Sequence, residues 1–442
     1  MNDDIVQAPR RRIPSLARAL RSRNYRLFVA GQGVSLVGTW MQQVAMSWLV
    51  YRLTGSAVLL GVVGFASQIP SFFLTPVAGV LADRWDRRRL IMGTQTFAML
   101  QASLLAFVVL ANIVQVWHIV VLSVALGVVN AFDIPIRQAF VVEMVANRED
   151  LGNAIALNAS LFNGARLVGP SLAGLIVAAA GEGVCFLVNA MSYSGVLAAL
   201  VAMRLAPRAP RPEQRHVLHE LREGFSYAFG FGPIRSILLL VALMSLMGMS
   251  YAVLMPVFAR EVLHGGASTF GFLMTAAGGG ALVSTLYLAS RPSVLGLGRI
   301  IHLSVSLFSV GIAVFACSTS FPLSLAALAV VGFGMTAMMA AGNTILQTIV
   351  EEEMRGRVMS FYSVAFSGMA PFGSLLAGWL AASIGARQTL LLGSVTCLTG
   401  AVLFARHLPS IREKVRPIYA RKGIISEAGA GIRTVVRGEI EG

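Results

Sequence analysis

The chain has 442 residues, of which 56% are hydrophobic and only 12% charged. A soluble domain carries about 25% charged residues, so this composition excludes an ordinary water-soluble globule and points to a surface facing lipid. The net charge of +15 lies in gaps between apolar segments, not on a basic helix with interleaved aromatics, which argues against a nucleic-acid-binding surface.

In chain order, residues 1–23 are polar and basic. They lack the short apolar stretch and small-residue cleavage site of a secretory signal, so the first helix is expected to stay in the mature chain. Apolar runs of bilayer-spanning length, about 20 residues each, then predict helices over 25–51, 57–82, 90–111, 116–142, 153–180 and 184–204. A polar, proline-containing linker follows at 205–233. Helices resume over 235–260, 268–290, 299–317, 322–349, 358–383 and 388–406. The expectation is an all-α membrane protein of twelve transmembrane helices, with six-helix bundles at 24–204 and 234–406. The basic, Gly-containing tail, 407–442, has no hydrophobic face and is expected to be disordered in the cytoplasm. Cys185, Cys317 and Cys397 all lie in apolar segments, at spacings that suit neither a disulfide framework nor a metal site.

With both termini in the cytoplasm, only Arg52, Arg260 and Arg387 fall on the outer side, and Arg137 and Arg166 fall within helices. Every other Arg and Lys is then cytoplasmic, as the positive-inside rule requires. The halves repeat with a period of about 210 residues. NYRLFVAGQGVSLVG (24–38) is echoed by PIRSILLLVALMSLMG (233–248), with Arg235 in the place of Arg26. Six helices per half with both ends inside imply parallel repeats about an axis along the membrane normal.

The most specific local signal is GVLADRWDRRRL (79–90), in the loop after the second helix. Two readings fit it. Gly79 permits close packing, Asp83 can accept hydrogen bonds from a helix N-terminus, and Arg84, Arg87 and Arg88 can make charge-assisted bonds, together forming a gate latch. Alternatively the arginines only anchor the loop on the cytoplasmic side. The segment resembles the cytoplasmic loop motif of the major facilitator superfamily, with Asp86 where Gly is usual. In the fifth helix, Gly169, Pro170 and Gly174 resemble the Gly-Pro motif of the superfamily's antiporters. A proline there breaks one backbone bond and kinks the helix, and the glycines permit close contact.

NAFDIPIRQAF (130–140) and LGNAIALNAS (151–160) narrow the resemblance to the drug:proton antiporter branch of enterobactin exporters and macrolide efflux proteins, the transmembrane secretion effectors. That resemblance spans about residues 20 to 406. It implies alternating access driven by a proton gradient without a cofactor, a hydrophobic small-molecule cargo such as a drug or siderophore, a monomer, and a bacterial inner-membrane location. A facilitator, importer or lipid transporter of the same fold is the alternative, and a non-transporting membrane sensor a more distant one. The sequence shows no phosphate-binding loop, metal-spaced His or Cys set, or nucleophile elbow that would point to an enzyme.

Ionisable residues inside the membrane are costly and mark functional hypotheses. Asp133, Arg137 and Arg166 are three. Asp133 lies roughly 16 Å and Arg166 roughly 20 Å from the cytoplasmic helix ends, and Arg137 is one turn from Asp133 on the same face. Asp133 is expected to pair with Arg166 or Arg137, either as a proton-sensing pair or as a static structural one. Gln32, Gln42, Gln43, Met247, Asn343 and Gln347 lie on the helices that line the cavity in this family. They are candidates for cargo contact, with helix packing as the alternative.

Overall fold

The computed structural model describes residues 15–145, 147–204, 217–291 and 293–425. All regular structure in this range is helical. Six long helices come first: α1 (Arg23–Thr54), α2 (Ala57–Arg84), α3 (Arg87–Leu110), α4 (Val116–Met144), α5 (Leu151–Ala180) and α6 (Glu182–Ala202). A shorter α7 (Val217–Gly230) precedes six more: α8 (Gly232–Val262), α9 (Ala267–Ala289), α10 (Leu297–Cys317), α11 (Phe321–Ile349), α12 (Glu352–Ile384) and α13 (Ala386–Arg421). Eleven of these long helices are apolar enough to cross a bilayer by length and composition. The twelfth, α1, has 32 residues, and Gln32, Gln42 and Gln43 dilute its apolar run.

The chain divides into two compact units, 1–49 with 69–212 and 50–68 with 213–442. In the first unit, Tyr25 and Phe28 of α1, Ile91 of α3, Ile136 and Phe140 of α4 and Leu200 of α6 share one buried cluster. The Tyr25 hydroxyl donates to the carbonyl of Ala154 at 2.7 Å and ties the start of α1 to α5. Asp86 caps the N-terminus of α3, its carboxylate accepting from the Arg89 amide at 2.8 Å. This is the physical use of the one departure from the loop motif: the carboxylate satisfies an amide that the helix itself leaves without a partner.

In the second unit the tightest crossing joins α9 and α11. A Cβ at Gly280 would lie 1.8 Å from the Ala329 carbonyl oxygen, and one at Gly332 would lie 1.9 Å from that of Ala277. Only glycine lets these backbones meet, as small residues do wherever membrane helices pack closely. Two helices carry π-turns, α8 at Met244–Gly248 and Phe258–Val262, and α12 at Val364–Gly368. A π-turn disturbs the backbone ladder. The hydroxyl of Ser245 in one such turn donates to the carbonyl of Phe366 in another, satisfying a group the ladder leaves open.

The polar segments carry structure of their own, and for the tail the expectation is corrected. Part of the 205–233 linker is the helix α7, whose Phe225 and Phe229 are one turn apart and stack around Phe361 of α12. Arg357 of α12 bonds Glu223 of α7 at 2.5 Å. The tail is helical as far as Arg421 rather than unstructured from residue 407. Leu408, Ile411 and Val415 recur at helical spacing and are buried, a narrow apolar stripe hidden among the basic residues around it. The positions 426–442 lie outside the described residues.

Candidate functional site

The polar centre of the first unit is built on α4. Pro135 lies inside this helix and has no N–H for the carbonyl one turn back. Asp133, two residues before it, is 4% exposed. Its Oδ1 accepts from Thr94 Oγ1 at 2.9 Å and from Gln95 Nε2 at 2.7 Å, both on α3. Its Oδ2 lies 3.4 Å from Arg137 Nη2. The carboxylate therefore has a cation and two neutral donors around it. The Gln95 Oε1, buried beside it, has no hydrogen-bond partner among the described residues.

Of the two partners expected for Asp133, the structure brings up Arg137. Arg166 lies elsewhere, with its guanidinium 5.9 Å from the centre of the Trp40 ring on α1. Trp40 also stands edge-on to Phe162, at 5.7 Å between centroids. Gly169 is buried on the same face, where a Cβ would lie 2.6 Å from Trp40 Cβ. Pro170 and Gly174 are buried next to it in α5. The expectation that Arg166 and Asp133 share a depth says nothing about which faces they occupy. Here the two faces differ.

Gln42 is committed to a buried amide ladder. Asn189 Nδ2 donates to Gln42 Oε1 at 2.7 Å, Gln42 Nε2 donates to Gln101 Oε1 at 2.9 Å, and Gln101 Nε2 donates to the Leu122 carbonyl at 3.1 Å. Four helices, α1, α3, α4 and α6, meet through these bonds. Gln32 is also buried, with Oε1 lacking a partner, whereas Gln43 is exposed. In the second unit Gln347 Nε2 donates to Asn343 Oδ1 at 2.5 Å along one face of α11, and Met247 sits in the first π-turn of α8. Sequence reasoning missed Thr94, Gln95, Gln101 and Asn189. The signal was available, since each is a polar residue in an apolar helix.

The loop motif divides. Arg87 Nη1 bonds Glu143 Oε1 at 3.0 Å and the Ala139 carbonyl at 3.0 Å, joining the start of α3 to the end of α4. Arg88 Nη2 bonds the Val201 carbonyl at 2.9 Å, near the C-terminus of α6. Gly79, Asp83 and Arg84 belong to the last turns of α2, and their side-chain positions lie outside the described residues.

A family profile described as transmembrane secretion effector matches residues 15–420. The chain is a transmembrane secretion effector of the major facilitator superfamily. As such it is a multi-pass membrane transporter and not an enzyme. This secretion effector is 26% identical to the staphyloferrin A transporter of Staphylococcus aureus over 390 residues, which cover 85% of this chain and 95% of that one. It is 27% identical to the multidrug efflux pump Tap of Mycolicibacterium fortuitum over 394 residues, covering 87% and 93%. Its fold matches a crystal structure of a POT family transporter with a TM-score of 0.68 at 10% identity, over 88% of this chain and 96% of that one.

Proposed function

We propose that this secretion effector exports a lipophilic small molecule by proton antiport and alternating access. On this reading it is a monomer in a bacterial inner membrane, with both termini in the cytoplasm. The direction is supported by its similarity to a multidrug efflux pump, and the cargo class by that pump and by the staphyloferrin A transporter. The orientation is supported by the distribution of arginine along the chain.

The observation that carries the coupling is the buried Asp133, with Arg137 on one oxygen and two neutral donors on the other. A buried charge that loses its partner is costly, so a conformational change that separates Asp133 from Arg137 ties the charge of this carboxylate to the state of the transporter. Gln95 serves both states. Its amide nitrogen donates to the ionised carboxylate, and after a half-turn of the amide its unpartnered Oε1 accepts from the protonated one. The exchange needs no movement of the α3 backbone.

Arg166, stacked on Trp40, is assigned to holding α5 against α1 beside the Gly169–Pro170 kink. Arg87 and Arg88 are engaged inside the first unit, so the gating role in the loop motif falls to Gly79, Asp83 and Arg84. Cargo contact is assigned to Gln43 in the first unit and to Met247, Asn343 and Gln347 in the second. Gln42 is taken up by its ladder, and the buried Gln32 keeps one open acceptor.

The test uses inverted vesicles energised to an acidic interior, with a pH-sensitive dye and a panel of lipophilic drugs and siderophores. The expected outcome is cargo-induced proton release that is lost in Asp133→Asn. Movement of cargo independent of the pH gradient, with folded protein, would replace antiport by facilitation.

A further inference from the structure

A groove of about 430 Å³ runs between α8 and α13, entirely within the second unit. Its two walls are helix faces read at three- and four-residue intervals. On α8 these are Arg235, Ser236, Leu239 and Leu243, and on α13 they are Leu403, Phe404, His407 and Lys414. Farther from the start of α8 the lining is apolar, and Leu239 and Leu403 there are 54% and 50% exposed. The other end, at the start of α8 and the extension of α13, carries Arg235, His407 and Lys414.

These three side chains are exposed, and among the described residues none makes a hydrogen bond or ion pair. No Asp or Glu is among the described lining residues; Glu413 is next to Lys414 in sequence but not in the lining. The ammonium of Lys414 lies over the first turn of α8, 3.7 Å from where a Cβ at Gly232 would be. That turn has no side-chain cap. A helix N-terminus carries the positive end of the backbone dipole. An ammonium held against it, beside an arginine, is unfavourable unless an anion joins them.

We infer that this groove binds an anionic phospholipid, its phosphate among Arg235, His407 and Lys414 and its acyl chains along Leu239, Leu243 and Leu403. The polarity gradient decides the occupant. A soluble anion would use the cations and leave the exposed leucines idle, whereas a phospholipid satisfies both ends. Under the orientation proposed above, the cationic end lies at the cytoplasmic face, where basic pockets between membrane helices recognise anionic headgroups. Binding itself does not depend on the transport reading.

The experiment is native mass spectrometry of the full chain in detergent, with phosphatidylglycerol and phosphatidylcholine of identical acyl chains in equal amounts. The expected result is preferential retention of phosphatidylglycerol. Each cation removed should weaken it about fivefold, so that Arg235→Ala with Lys414→Ala weakens it about 25-fold. Leu239→Trp, which fills the apolar end, should lower retention without changing headgroup preference. Lys414→Ala alone, on the exposed extension of α13, provides a measurement if the double variant does not fold. Equal retention of the two lipids by the unsubstituted protein, or an unchanged preference in the Lys414→Ala protein, would overturn the inference. Displacement of phosphatidylglycerol by millimolar inorganic phosphate would also overturn it, and would assign the cations to a free anion.

Discussion

Asp133 and Arg137 are four residues apart on one helix, and their pairing could be anticipated from that spacing alone. Thr94 and Gln95 stand out as polar residues in an apolar helix, but that they turn toward Asp133 could not be anticipated, because it depends on how α3 is rotated against α4. Asp133→Asn keeps the shape of the site but removes the carboxylate to which proton coupling is proposed to belong. The expected outcome is loss of cargo-induced proton release with cargo binding retained, and an unchanged pH dependence of transport would end the coupling proposal. Gln95→Leu should shift the pH dependence of transport while leaving the Asp133–Arg137 pair in place. A profile identical to that of the unsubstituted protein would remove Gln95 from the relay. Gln42→Leu leaves Gln101 and Asn189 each short of a buried partner. It should destabilise the first unit by about 1 kcal/mol, the usual scale of such bonds between membrane helices, read as a lower unfolding temperature in detergent with little effect on proton coupling.

At the scale of the helices, the boundaries within the membrane follow from apolar run length, while their ends and crossings do not. α13 shows why. Its basic residues outnumber the three apolar ones, Leu408, Ile411 and Val415, that bury its extension, and an average over the tail hides a stripe one residue wide. A chain truncated after residue 425 keeps the whole described extension and serves as the reference. Truncation after residue 408 should lower the unfolding temperature, because it removes Ile411, Val415 and the Lys422 ammonium that bonds the Thr348 carbonyl at 2.6 Å. Equal stability of the two truncations would show that the extension is only a passenger. The α9–α11 crossing makes the opposite point. Gly280 lies in a run of small residues, 276–281, that marks a close-packing face, but that Gly332 is its counterpart among 44 glycines is set by the crossing of the two helices.

For the whole molecule, the decisive quantity is where charge lies along the chain. The proposed orientation places the C-terminus of α10, and with it the exposed Cys317, on the outer side. A membrane-impermeant maleimide should label Cys317 in intact cells, while the buried Cys185 and Cys397 stay protected in the folded protein. Labelling in inverted vesicles only would reverse the topology and, with it, the direction assigned to the proton.

Sequence by itself determined that this is an all-helical, multi-pass membrane protein, because the bilayer imposes run length, internal hydrogen bonding and charge asymmetry on every segment separately, and the motif resemblance added transport. It also exposed the ionisable residues worth asking about, since each is costly in lipid wherever it points. Tertiary structure decided their partners: Arg137 rather than Arg166 beside Asp133, an amide ladder around Gln42, and Arg235 and Lys414, unpaired among the described residues, gathered with His407 at one end of the α8–α13 groove. The physical reason is rotational. Depth in the membrane can be counted along a helix, but the face a residue turns toward its neighbours is set by how the helices pack.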